Sequence, residues 1–259
     1  MTAETMMTLD EAMRARHGVH DYRPEPIAEN TVAALRDYID ACNREGDLHM
    51  QLVLDEPQAF AALAGKVGGF SNVRNYIALI GPRSKHLDFD LGYWGQHVAL
   101  YAQQLGLNSR WVAATYKKVP SAYEVRDGEK LVMVIALGYG AEQGEPHKSK
   151  PRSKVMRVAE GLDAPQWFLD GVDAALLAPT AMNQQAFTLE LVAPDKVKRS
   201  PRVRLRREHR SGHRVLPVRD RRRHRQLPLG GRIGPSGSRT FRIRRIGGWA
   251  TRRASSRWR

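Results

Sequence analysis

The chain has 259 residues, with 42 Lys and Arg against 27 Asp and Glu and a formal net charge of +15. Cys42 is its only cysteine, which excludes an intrachain disulfide and suits a reducing, cytoplasmic setting. The longest apolar run, Leu131–Leu137, is far too short to cross a bilayer, so no membrane span is expected.

The charge is confined to one end. Arg199–Arg259 contains 21 Arg, no Lys and only two acids, Glu208 and Asp220, whereas residues 1–198 carry a net −4. Those first 198 residues suffice for a domain with a real core. The N-terminus has no basic stretch ahead of an apolar run, so no secretory leader is expected.

In chain order, Thr8-Leu-Asp-Glu11 forms a capping box, which predicts a helix running to about His17. After the break at Tyr22–Ile27, Val32, Leu35 and Ile39 recur at helical spacing and predict a second helix ending near Asn43. A strand is expected over 51–54, a helix over 57–66, and a buried strand over 75–81 that ends in Gly-Pro. Val98, Tyr101, Ala102 and Leu105 share one face of a long helix over 91–107. Strands follow over 110–116 and 130–139, then a polar linker over 140–154. A helix over 165–177, a turn over 178–185 and a strand over 187–192 complete the patterned region. Alternating helices and strands imply a layered α/β (α+β) domain.

Phosphate-loop, dinucleotide-binding, nucleophile-elbow and metal-ligand signatures are all lacking. What remains is basic and amide residues at element ends: Arg16, His17 and His20 after the first helix, Lys148, Lys150 and Arg152 past a strand, and Asn183–Gln185 in a turn. Two basic loops can hold a phosphate through charge-assisted donors, and an amide cluster can read the polar edge of a ring. By composition alone these residues read first as solvated loop charge.

Four segments carry a resemblance. ARHGVHDYRPEPI (15–27), GYWGQHVALYAQQLGLNSRWV (92–112), VIALGYGAEQGEPHKSKPR (134–152) and APTAMNQQ (178–185) resemble the motifs of the nitroreductase family. In ordinary members the Pro-Ser-x-x-Asn turn follows soon after the basic opening. Here it lies far downstream, which is similar to the TM nitroreductase group with two halves in one chain. The resemblance implies a three-layer sandwich with a mixed sheet flanked by helices, built as a pseudo-dimer. On this reading 1–145 is the first half and 146–198 a linker and the start of the second. The assembly would be a pseudo-dimeric monomer or a homodimer.

The resemblance also implies an FMN enzyme. Arg16, His17, Gly18 and His20 would sit at the phosphate and ribityl end, and Lys148 and Lys150 would clamp the phosphate. Pro179, Thr180 and Asn183 would approach the ring and ribityl chain from the second half, and Ala113 and Ala114 would offer backbone groups to the flavin. The flavin N5 would take hydride from NAD(P)H and pass it to a nitroarene, quinone or similar small acceptor, without a dedicated protein acid. The alternative within the family is an FMN enzyme with another task, such as dehalogenation or flavin fragmentation. Two departures stand out: Gly18 replaces the usual Ser and His20 the usual Arg or Lys, so the phosphate site loses a hydroxyl and a permanent charge.

The family normally continues with another long helix and strand, which the Arg-rich stretch over 199–259 does not resemble. Out-of-frame translation of a GC-rich gene gives that composition, so a frameshift near residue 199 is the first expectation. The second is a genuine basic arm, a nucleic-acid binder acting through counterion release. In either case the stretch would bind nucleic acid non-specifically.

Overall fold

A computed structural model describes residues 6–61, 69–146 and 148–201, and the backbone of 239–242. Two compact units emerge: Met1–Lys148 with Leu177–Pro179, and Ser149–Leu176 with the chain from Thr180 onward.

The first unit opens on α1 (Leu9–Ala15). Its capping box forms as the sequence predicts: the Glu11 N–H donates to Thr8 Oγ1 at 3.3 Å, and the Thr8 N–H donates to Glu11 Oε2 at 2.7 Å. Thr8→Ala is expected to cost about 1 kcal/mol, the usual worth of an N-cap, seen as a fall in the denaturant midpoint.

Then come α2 (Glu29–Gly46), β1 (Gln51–Val53), α3 (Gln58–Ala61), β2 (Asn75–Pro82), α4 (Leu87–Gln104), β3 (Asn108–Val112) and β4 (Glu129–Gly138). The strands form one antiparallel sheet in the order β1-β2-β4-β3. Both faces are buried, which is why β2 and β4 read as unbroken apolar runs. Tyr76, Ala78 and Ile80 of β2 join a cluster with Val19, Tyr22, Phe60 and Phe70. Ile77 and Leu79 point the other way, into α2 (Leu35, Ile39, Cys42) and α4 (Leu91, Val98, Ala102). Burial pushes the Cys42 thiol up to about 11, so it is packing rather than a reactive group.

In the second unit β5 (Met156–Val158), α5 (Gln166–Leu177), β6 (Phe187–Ala193), β7 (Lys196–Pro201) and β8 (Arg239–Arg242) build a sheet in the order β5-β6-β7-β8. Here β5 runs parallel to β6, and the other pairs are antiparallel. Phe168, Val172 and Leu176, spaced four apart on α5, bury one stripe with Val155, Leu191 and Val197.

Several boundaries shift from expectation. The long helix starts at Leu87, four residues before the apolar stripe, because Asp88 and Asp90 suit a first turn. The strand expected to reach Tyr116 ends at Val112, and Ala113–Tyr116 bend away. β5 and β7 carry too little apolar pattern to be recognised: β7 reads Lys-Val-Lys-Arg-Ser-Pro and buries only Val197. The helix expected over 57–66 runs into residues 62–68, outside the described residues. So does most of the stretch expected to be out of frame, 202–238 and 243–259. Its described start belongs to β7, which stays paired with β6 as far as Pro201.

Candidate functional site: two buried guanidinium groups at a glycine

Arg16 closes α1 by donating its backbone N–H to Ala12 O at 2.9 Å. The chain then runs extended: Gly18 bridges Ser109 of β3, Asp21 bridges Ser71, and Tyr22 bridges Gly140. The Tyr22 N–H donates to Ser71 O at 3.1 Å, the Arg23 N–H to Tyr139 O at 2.8 Å, and the Ala141 N–H to Asp21 O at 2.9 Å. Val19 and Tyr22 anchor the segment in the core, so its polar residues are held by a rigid backbone.

That backbone buries a charge. Arg16 is only 4% exposed, and among the described residues its side chain forms no hydrogen bond or ion pair. Burial first, and then the like charge of Arg110, pulls its guanidinium below the usual value. Arginine nevertheless stays protonated, so the charge remains. Arg110, half-buried on β3, is likewise lowered by burial, with Tyr22 and Glu142 partly offsetting. Its guanidinium carbon lies 6.0 Å from the centroid of Phe70. The Tyr22 hydroxyl beside them is buried without a partner among the described residues, and burial pushes its phenol strongly up, keeping it a neutral donor.

Glycines make the space. A Cβ on Gly18 would stand 3.0 Å from Arg110 Nη1, and one on Gly144, whose φ is +70°, would stand 2.9 Å from Gly18 O and 3.0 Å from His17 Cβ. Gly140 donates its N–H to Asn108 Oδ1 at 2.9 Å, fixing the loop that carries Glu142. His20 Nδ1 lies 3.2 Å from Gly69 O, its ring is tilted on Phe70 with centroids 5.4 Å apart, and its N–H donates to Glu142 Oε1 at 3.5 Å. Chemically this is a place for an anion: two permanent charges and a neutral hydroxyl, largely screened from water.

The residues named from sequence divide between the units. Arg16, His17, Gly18, His20, Ala113, Ala114, Lys148 and Pro179 lie in the first. There Arg16, Gly18 and His20 share the extended segment, Ala113 and Ala114 are exposed just past β3, and Lys148 is exposed. Lys150, Thr180 and Asn183 lie in the second unit. The Lys150 ammonium donates to the carbonyls of Gln184 and Gln185 in the adjoining turn. Gln185, fully buried, donates its N–H to Thr180 Oγ1 at 3.0 Å and its side-chain amide to Asn183 Oδ1 at 3.1 Å. Arg110 and Tyr22 were missed. The signal for Arg110 is a cation in a short, largely buried strand, Asn-Ser-Arg-Trp-Val.

A cleft of about 410 Å³ in the first unit shares Tyr22 with this site and is also lined by Arg23, Ile27, Asn72 and Arg74, among others, but by none of the residues named from sequence. Among the described residues no helix is long and apolar enough to cross a membrane.

Residues 8–210 match the family described as putative TM nitroreductase. The chain belongs to this family. No curated protein matches the chain. Among solved structures it is similar to a putative nitroreductase from Thermotoga maritima, with 16% identity, a TM-score of 0.55, and 78% of this chain and 79% of the other covered. A putative nitroreductase in complex with FMN from Exiguobacterium sibiricum shares 15% identity over 59% of this chain and 98% of its own, with a TM-score of 0.47. An FMN-dependent nitroreductase from Clostridium difficile shares 16% over 56% and 92%, with a TM-score of 0.42. The fold is therefore that of the TM nitroreductases, a mixed α and β architecture, and the chain sits in an oxidoreductase family. The family match runs past residue 199 to residue 210.

Proposed function

We propose that this nitroreductase-family chain is an FMN-dependent NAD(P)H oxidoreductase that reduces nitroaromatic, quinone or similar small acceptors, in the cytoplasm. The observation that carries the reading is the buried Arg16 beside Arg110 and the unpartnered Tyr22 hydroxyl, a donor set suited to a phosphate monoester such as that of FMN. When bound, the flavin supplies the redox chemistry, passing hydride from NAD(P)H to the acceptor. The chain's own part is to hold the phosphate end on the rigid 16–22 segment and to keep water from it. His17, Gly18 and His20 line that segment, and Lys148 is assigned to the same phosphate by motif.

The test is the visible spectrum of the full chain mixed with excess FMN and desalted. A retained flavin band that bleaches with NADH or NADPH supports the proposal. A colourless protein that leaves added FMN unbound in fluorescence titration sinks it.

For the Arg-rich stretch the proposal stays a shift of reading frame, with its onset moved downstream of β7. This strand is paired through Pro201, and the family match continues to 210. A truncation meant to separate flavin chemistry from nucleic-acid binding therefore belongs after residue 210. Cutting at Lys198 would remove half of β7. Resequencing the coding DNA there decides the matter, since an unbroken frame that encodes these arginines overturns it.

A further inference from the structure

The geometry points to Arg110 as the second cationic ligand of the phosphate-monoester site, reaching from β3 across the bare Cα of Gly18 to act with Arg16. This deepens the flavin reading and rests on it for the ligand's identity, but not for the ligand being an anion.

Three observations converge. First, Arg110 Nη1 lies 3.0 Å and its Cγ and Cζ 3.8 Å from where a Gly18 Cβ would stand, so the guanidinium occupies the space a side chain at 18 would need. Second, Arg110 is close enough to Arg16 for its like charge to depress the Arg16 guanidinium, yet neither has a carboxylate within ion-pair distance among the described residues. Burying two like charges together is unfavourable unless an anion joins them. Third, the Tyr22 hydroxyl beside both is buried and unpartnered, an unused donor in the same place.

Among the described residues, Arg110 faces Arg16, Tyr22, Phe70 and Glu142. Glu142 is exposed and, among the described residues, its carboxylate accepts a hydrogen bond only from the His20 N–H at 3.5 Å, so it is a loose counter-charge that a phosphate would displace. The loss of a hydroxyl at 18 and of a fixed charge at 20 is thus answered by a charge from another strand. Gly18→Ser would not restore a phosphate ligand. It would push Arg110 aside.

The purely structural alternative makes Arg110 a cation stacked on Phe70, and the two readings predict opposite stability changes. The experiment measures FMN, riboflavin and inorganic phosphate affinities, and the unliganded melting temperature, for the full chain and for Arg110→Gln, Arg110→Lys and Glu142→Gln. Any phosphate binding by the Arg-rich end is common to all four proteins and cancels. Expected for Arg110→Gln are FMN and phosphate affinities lower by about tenfold or more, riboflavin affinity unchanged, and an unliganded melting temperature equal or higher. Arg110→Lys should keep most of the preference for FMN over riboflavin. Glu142→Gln, at an exposed position, should tighten FMN and phosphate severalfold and decides the question if Arg110→Gln does not fold.

An unchanged FMN-to-riboflavin ratio in Arg110→Gln, with a lower melting temperature, overturns the inference. So does a wild-type chain that binds no phosphate compound at all. Arg110-dependent phosphate binding without flavin binding upholds the anion site and refutes the flavin reading.

Discussion

Arg16→Met is expected to raise the melting temperature of the unliganded chain while cutting FMN affinity by about a hundredfold. Arg16 is 4% exposed and, among the described residues, has neither an acceptor nor a carboxylate, so the fold bears its desolvation without return. Replacing a buried charge by an apolar side chain of similar length typically stabilises by about 1–4 kcal/mol. The Met side chain would keep the packing of the arginine stem against the end of α1. Binding moves the other way. Charge-assisted hydrogen bonds to a phosphate are worth about 1.5–3 kcal/mol each, and a guanidinium offers two in parallel.

Thermal melts with and without saturating FMN separate the two effects. The wild type should gain from ligand, and the variant should start higher and gain little. A lower unliganded melting temperature would show that Arg16 is a structural residue with an internal partner, and the anion site would lose its centre. Trading stability for a preorganised charge is common at binding sites, where a locally unfavourable arrangement is relieved only by the ligand.

The same residue shows why part of the site was legible in sequence and part was not. Arg16, Gly18 and His20 sit on one contiguous segment directly after a helix with a complete capping box, so pattern and motif place them together. Arg110 is ninety-odd residues away in sequence and joins them only because β3 bridges Gly18 through Ser109. Pairing between distant segments leaves no local periodicity to read. β2 and β4 were legible for the opposite reason: buried on both faces, they are continuous apolar runs bounded by Gly and Pro. β7 hides because its strand order comes from pairing with β6 and not from its own composition. Lys150 shows what a motif does not carry, namely the local partners of a side chain. Its position suits a phosphate clamp, but its ammonium is engaged by the Gln184 and Gln185 carbonyls of the adjoining turn.

Phe168→Ala is expected to cost about 3–5 kcal/mol and to unfold the second unit while the first persists. Phe168 is 2% exposed and is the largest side chain in a cluster whose other buried members are Val155, Val172, Leu176, Leu191 and Val197. Removing a ring there leaves a cavity that α5 cannot close without losing the four-residue stripe that docks it. The first unit has two clusters back to back on its sheet, so it keeps its own support. Amide exchange reads this directly: protection should vanish in β5, β6 and β7 and remain in β2 and β4. The turn holding Gln185 should open with them, freeing the Lys150 ammonium and the Thr180 hydroxyl from their present partners. Loss of protection in β2 and β4 at the same temperature would show that the units fold as one cooperative body, and the second would then owe its stability to more than this cluster.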